Sequence, residues 1–312
     1  FNNQRQVIET SQFERGEKIN VSRFYDNGKL QSVETYQNNL RHGAWQTFHL
    51  NGAVAEQWTY SNNQLTGLYQ SNDEQGNVLL QGEYDAQGQQ HGQWQQFHAA
   101  GVPAAKVNYV SGKRHGNSEQ FSTDGTLVSS CNYQHGAQHG ECREFHANGQ
   151  LIALSLYQQG KLHGEQQRLS AEGQLLEKLH YIDGMQAGEQ LHYHSNGELA
   201  QRINYHTTER SANGQFPLHG VFQRYQDNGQ AIELSGYVMG ERDGVHQRFQ
   251  ADKLVEESQY KAGKRHGLSK TFYSSGEPRE QNSYVDGQLS GAFKSWHING
   301  TLREEGERKD GQ

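Results

Sequence analysis

A chain of 312 residues carries a net charge of −7 and 36 glycines against three prolines, and only 32% of it is hydrophobic. That is too little apolar mass for two close-packed globular cores, while four Trp, sixteen Tyr and twelve Phe are too many for a disordered chain. The mild acidity, spread along the chain, excludes the basic stripe that nucleic acid asks for and offers anionic lipid no polybasic segment, and no apolar run approaches the length of a membrane span.

Residues 1–23 precede the regular pattern and are expected to form an N-terminal cap segment. The chain starts at Phe1 rather than Met, so a removed leader is expected, and with it a periplasmic or outer-membrane-anchored location, with a cytoplasmic one left open. From residue 24 to 312 the chain is periodic. A glycine, usually preceded by histidine, recurs at Gly43, Gly67, Gly92, Gly116, Gly140, Gly164 and Gly188, then at Gly220, Gly244, Gly267 and Gly291. The interval is 24 or 25 residues before Gly188 and 23 or 24 after Gly220, with one of 32 between. Such a period marks one supersecondary unit stacked on copies of itself.

Within a unit, Asn-Gly pairs at 27–28, 51–52, 148–149, 196–197, 228–229 and 299–300 predict hairpin turns, because both residues tolerate positive φ. A second glycine set, from Gly88 and Gly112 to Gly287, predicts the other turn, and the His-Gly step reads as a turn that closes each hairpin. A tyrosine recurs from Tyr36 to Tyr284, with an aliphatic residue six positions earlier in most copies, such as Leu30, Val54 and Leu151. That even separation puts both on one face of a strand. In the second strand an aromatic residue or Leu follows the repeat glycine by five, as at Phe48, Phe97, Leu169 and Trp296. The predicted fold is all-β: an elongated single-layer antiparallel β-meander ribbon or solenoid of about 11 two-strand repeats, some 22 strands, held by aromatic ladders.

The pattern Tyr-x-x-Gly-x-x-His-Gly-x-x-x-x-Phe-x-x-Asn-Gly-x-Leu, complete from Tyr133 to Leu151 and nearly so from Tyr157 to Leu175, resembles the MORN repeat and more closely its bacterial variant. The resemblance covers roughly residues 24 to 304. It implies a scaffold, a lipid-associated module or, for the bacterial variant, an antitoxin or immunity protein.

Where copies depart from the pattern, function is expected. Trp45, Trp58 and Trp94 hold positions occupied by other residue types elsewhere and read either as interface anchors or as ladder-packed residues. Cys131 and Cys142 flank one hairpin turn and read as a candidate disulfide or as two half-buried thiols. The 32-residue interval inserts a loop at 206–217 carrying Glu209, Arg210 and Phe216, which reads either as a binding loop on a face where repeat arrays often bind or as a neutral surface insertion. Glu233, Glu256, Glu280 and Glu304 recur in four consecutive repeats and form either an acidic ladder for a basic partner or a row neutralised by Lys270 and Lys294. The repeat histidines read as structural, and His192 with His194 lacks companion ligands at zinc spacing. No HExxH, GxSxG, P-loop or GxGxxG occurs. The chain is therefore expected to be no enzyme and to need no metal or cofactor. Its expected partner is a cognate toxin or effector, with lipid binding disfavoured and the alternative a membrane-associated scaffold or effector accessory module. The repeats that lack the histidine, before Gly67, Gly188, Gly244 and Gly291, are further places to look.

Overall fold

Two turn chemistries alternate along the chain, and the residues at each turn decide which one forms. The computed structural model describes residues 1–3 and 6–309. Residues 4–5 of the N-terminal segment and 310–312 of the repeat array lie outside the described residues. Among the described residues the chain is all-β, with 27 strands and antiparallel pairings between neighbours along the chain, save that Leu175–Ile182 and Ala231–Val238 also pair past a two-residue strand with Gly188–Tyr193 and Gly244–Gln250. It divides into two compact units, Phe1–Leu151 with twelve strands and Ile152–Gln312 with fifteen.

At the short turns two residues in the left-handed region link the strands, as at Asn38-Asn39 with φ of 52° and 61° and at Ser111-Gly112 with φ of 49° and 74°. This is the mirror-image two-residue turn that matches strand twist. The Asn-Gly turns are of another kind. At Asn27-Gly28 only the glycine has positive φ. Tyr25 accepts the Gly28 N–H and donates its own N–H to the Lys29 carbonyl, while Asn27 Oδ1 accepts the Lys29 N–H. The Asn-Gly pairs thus form type I turns ending in one left-handed glycine, the asparagine capping the turn through its side chain rather than taking positive φ itself. The same capping recurs at Asn51, Asn148, Asn196, Asn228 and Asn299. Asp85 to Gly88 uses the longer turn where neighbours use the short one, and Ala251-Asp252 uses the short one where neighbours use the longer. These two swaps explain the 25- and 23-residue intervals.

The His-Gly step closes no hairpin. Gly43 lies inside the strand Leu40–Phe48 with φ of 90°. Glu34 stands opposite Trp45 and Tyr36 opposite Arg41, so residues 42–44 face Thr35 alone. This is a β-bulge, and Thr35 Oγ1 holds it from 2.6 and 2.8 Å off the carbonyls of His42 and Ala44. On its other side Gly43 stands opposite Tyr60, and the pairing repeats at Gly67 with Tyr84, Gly92 with Tyr109 and Gly164 with Tyr181. A turn glycine and a bulge glycine look alike in sequence because both need positive φ.

The expected aromatic and aliphatic rows are direct cross-strand partners, as in Phe48 with Val54, Phe121 with Leu127, Leu169 with Leu175 and Trp296 with Leu302. The N-terminal segment is built the same way. Strands Glu9–Glu14 and Glu17–Phe24 meet at Arg15-Gly16, with φ of 51° and 86°, and the second pairs with Leu30–Gln37. Ile19-Asn20 stands there in place of His-Gly, so this hairpin lacks the repeat's sequence mark.

The core of each unit is narrow and centres on one row of residues. On the tyrosine face a single register row runs through Val21, Glu34, Trp45 and Trp58, and further along the first unit through Trp94, Val107, Ser118, Cys131 and Cys142. Several of these residues, and Ser155, Leu179, Gln190, Ser235, His246, Ser258 and Ser269 in the same slots of the second unit, are buried. Tyrosines on one side and the aromatic-aliphatic pairs on the other close over them. A thin sheet can thus bury polar residues, provided they find partners. Ser258 and Ser269 bond each other at 2.8 Å, and Gln190 Nε2 donates to the carbonyls of His180 and Ala187 at 3.0 and 2.8 Å.

Candidate functional site

The tryptophans belong to this core. Trp45 and Trp94 are 8% and 4% exposed, and their indole N–H groups donate to the carbonyls of Thr35 and Glu83, both at 3.1 Å. Trp45 packs against Tyr36, Trp58 and Tyr60 with centroids 4.9–6.4 Å apart, and Arg41 lies 4.8 Å from its centroid. The anchor reading of Trp45 and Trp94 is therefore corrected: indoles covered on both sides present nothing to a partner. Trp58, half-buried, continues the cluster to Tyr69.

Cys131 and Cys142 stand directly opposite each other in register and are bonded, with Cα atoms 3.9 Å apart.

The inserted loop 206–217 is folded down. Its own turn, Ser211 to Gly214, repeats the Asn-Gly chemistry, with Ser211 N–H donating to the Gln215 carbonyl and Gly214 N–H to that of Ser211. Arg210 stacks 4.7 Å from the ring centroid of Phe216 and reaches Asp183 Oδ2 at 3.4 Å, tying the loop to the preceding turn. Phe216 is 5% exposed, so its expected place in a binding surface is corrected to that of the loop's anchor. Glu209 and Arg210 remain exposed.

The acidic row is real but half of it is neutralised. In register it reads Arg224, Glu233, Arg248, Glu256, Thr271, Glu280, Ser295 and Glu304. Glu233 pairs with Arg224 at 3.4 Å and Arg242 at 3.2 Å; Glu256 pairs with Arg248 at 3.5 Å and Arg265 at 3.0 Å. Lys270 and Lys294, expected to neutralise it, stand in register with Glu257, Gln281 and Glu305 instead. One residue of offset puts them on the opposite face. Of the four glutamates in the row, Glu280 and Glu304 are exposed.

Among the histidines, His163 and His266 approach the first residue of the next short turn, Asp183 and Asp286, at 3.6 and 3.3 Å. His49, His98 and His194 place Nε2 3.0, 3.0 and 3.1 Å from the carbonyls of Asn72, Phe121 and Tyr225 in the following hairpin. His192 meets Glu177 at 3.3 Å. No group of three or more His, Cys, Asp or Glu suited to a metal occurs among the described residues. His246 is buried between Ser235, at 2.6 Å, and Glu233, at 3.8 Å. Burial, reinforced by the Arg242 charge, pushes its imidazole below the usual histidine range against the pull of Glu233 and Glu256. Tyr69 is pushed up, first by burial and then by the Glu56 carboxylate that its hydroxyl reaches at 3.2 Å.

One feature of the face away from the tyrosines escapes sequence reading. Gln46, Gln57, Gln70, Gln81 and Gln95 stand opposite one another on five successive strands. They line a groove of about 480 Å³ together with Leu68 and Glu83. The signal was present as glutamine three residues after Gly43, Gly67 and Gly92 and three before Tyr60 and Tyr84. These two offsets merge into one row only once the bulge is known.

The MORN repeat variant model matches residues 20–38, 41–62, 90–111, 114–135, 138–159, 162–183, 186–206 and 265–286, more than half of the chain. The unmatched stretches 63–89 and 207–264 hold the histidine-lacking copies at Gly67 and Gly244 and the inserted loop. No curated protein matches. Among solved structures, the chain is similar to "Crystal Structure of TcdB2-TccC3-Cdc42", at 12% identity and a TM-score of 0.19 over 97% of this chain and 22% of that one. It is also similar to "Structure of Photorhabdus luminescens Tc holotoxin pore, Mutation TccC3-D651A", at 12% identity and a TM-score of 0.18 over 97% and 22%. The chain thus spans about a fifth of those chains, and such scores carry no argument about function. Alternating turns, the bulged glycine opposite tyrosine and the matched residues agree: the chain belongs to the MORN repeat variant family.

Proposed function

We propose that this protein is a non-catalytic binding scaffold of the antitoxin or immunity type, which neutralises a cognate toxin or effector by covering it. The observation that carries this reading is the loop 206–217. It interrupts an otherwise even array, yet is fixed by Arg210 on Phe216 and Asp183 and leaves Glu209 and Arg210 outward. A pre-ordered loop on a regular framework loses little entropy on binding. The exposed acids Glu280 and Glu304 add a patch suited to a basic partner. An oxidising compartment, periplasmic or at the outer membrane, goes with the Cys131–Cys142 bond.

Co-expression tests the reading. A toxin encoded beside this gene is expressed with and without the protein, and growth is scored. Protection that is lost in an R210A/E209A variant is the expected result. Absence of protection against every neighbouring gene product, or saturable binding of the purified protein to anionic vesicles, overturns it.

A further inference from the structure

The glutamine row carries chemistry that the proposed toxin contact does not use. Its amides are linked head to tail: Gln46 Nε2 donates to Gln57 at 3.4 Å, Gln57 to Gln70 at 3.4 Å, and Gln70 to Asn72 at 2.7 Å. Across the groove Gln81 donates to Gln95 at 2.9 Å and Gln95 to Gln93 at 2.6 Å. A primary amide has two N–H donors and two acceptor lone pairs. Each link spends one donor of one residue and one acceptor of the next, so the linked amides keep donor and acceptor capacity toward solvent. The half-buried stems fix where that capacity sits.

Three properties select the ligand. The row is uncharged over five strands, whereas its continuation past Gln95 is Lys106 and Glu119. The one charged residue lining the groove is Glu83, so an anionic ligand would find no counter-charge there. The row presents donor and acceptor together at every step, at about 4.8 Å per strand. And Leu68, 74% exposed, supplies an apolar contact beside it. An extended peptide fits poorly, because its same-side amides repeat at about twice 3.3–3.4 Å and fall out of step. A flat β-1,4 glycan strand is neutral and turns each ring over relative to the last, so its same-side groups recur at every second ring, close to every second strand, with hydroxyls that donate and accept and C–H faces for a leucine. An acetamido substituent adds an amide complementary to glutamine.

We propose that the groove on the strands from Leu40 to Phe97 binds an uncharged, extended β-1,4-linked glycan strand bearing acetamido groups, held by Gln46, Gln57, Gln70, Gln81 and Gln95. The site is independent of the toxin reading and stands or falls separately.

Titration of the purified chain with chitohexaose, followed by calorimetry, tests it. Saturable binding is expected, weakened at least tenfold in Q57A/Q81A and unchanged in Q223A/Q247A, which alters the same row of the second unit. In the unaltered protein the side-chain NH₂ resonances of these five glutamines shift during the titration, a readout that needs no variant to fold. Maltohexaose, which curves, leaves them still. Lack of saturation, equal binding by Q57A/Q81A with its melting temperature retained, or equal binding of maltohexaose overturns the proposal. So does a dimer in sedimentation that Q57A/Q81A dissolves, since that assigns the row to a second copy of the chain.

Discussion

Gly82 lies directly beneath the indole of Trp94: a Cβ at residue 82 would sit 2.2 Å from Trp94 Cδ2. This glycine faces the bulged residues 92–94, yet it is absent from the positive-φ residues, so its own backbone does not require glycine. It is the empty half of a core pair. Gly82→Ala is expected to cost about 1–3 kcal/mol by overpacking, and Trp94→Ala about 3–5 kcal/mol by cavity formation. The double variant should be more stable than the sum of the two costs allows, because the added methyl enters vacated space. Urea unfolding of the three variants checks this; strict additivity would mean the two side chains do not meet.

The bond between Cys131 and Cys142 closes a short loop within one hairpin. By the chain-entropy account, closure of a loop of this size is worth about 2–3 kcal/mol. Reduction, or a C131S/C142S variant, should lower the melting temperature by that equivalent and leave the strand content by circular dichroism intact. An unchanged melting temperature on reduction would show that the thiols do not bond in solution.

The repeat and its hairpins were legible because local chemistry dictates them. Glycine at fixed intervals and Asn-Gly with alternating apolar residues are demands of single turns, readable a few residues at a time. What was not legible depends on register across strands. Gly43 and Gly112 both need positive φ, and only pairing reveals one as bulge and the other as turn. The bulge also shifts parity: counting along the sequence puts Lys294 on the face of Glu280, but it stands opposite Gln281. Burial of Trp45 and Trp94 follows from the tyrosines closing over a narrow row, which no single repeat shows. The five-glutamine row was invisible for the same reason, being scattered over two offsets from two different landmarks.

His246 makes the second unit sensitive to acid. Its folded-state affinity for protons is depressed by burial, while in the unfolded chain it titrates near 6.5. Below that pH the unfolded state binds more protons, so stability is complete above about 6.5 and falls as pH drops toward the depressed folded value. Of the groups that face it, Glu233, Ser235, Arg242 and Glu256 lie on adjoining strands and Arg248 on its own. His246→Gln should flatten the stability profile between pH 7 and 5 measured by denaturant midpoints. A slope that persists unaltered would place its origin elsewhere.

Glu233 and Glu280 occupy the same row with different surroundings. Glu233 is 14% exposed with two arginine partners, whereas Glu280 is 47% exposed and reaches only Arg279 at 3.9 Å. Glu233→Gln should cost about 1–2 kcal/mol, since it strands Arg242 beside Tyr237 with part of its charge compensation gone. Glu280→Gln should stay within about 0.5 kcal/mol. Equal costs in thermal unfolding would mean that the arginine pairs are solvent-screened and that the row is uniform after all.

Phe216 and Arg210 decide whether the inserted loop is a fixed element or a passive spacer. Phe216 is buried, and the guanidinium over its ring also pairs with Asp183. Phe216→Ala removes the anchor and should cost about 3 kcal/mol, whereas Arg210→Ala, at a partly exposed site, should cost about 0.5–1 kcal/mol. The two differ more sharply in dynamics. Amide exchange at Ser211, Gly214 and Gln215, whose turn hydrogen bonds are internal to the loop, should accelerate in both variants. Exchange at His206, whose N–H donates to the Pro217 carbonyl at the loop's base, should accelerate only in Phe216→Ala. Equal acceleration at all four amides would mean that Arg210 and Phe216 form a single clasp rather than an anchor with a tether.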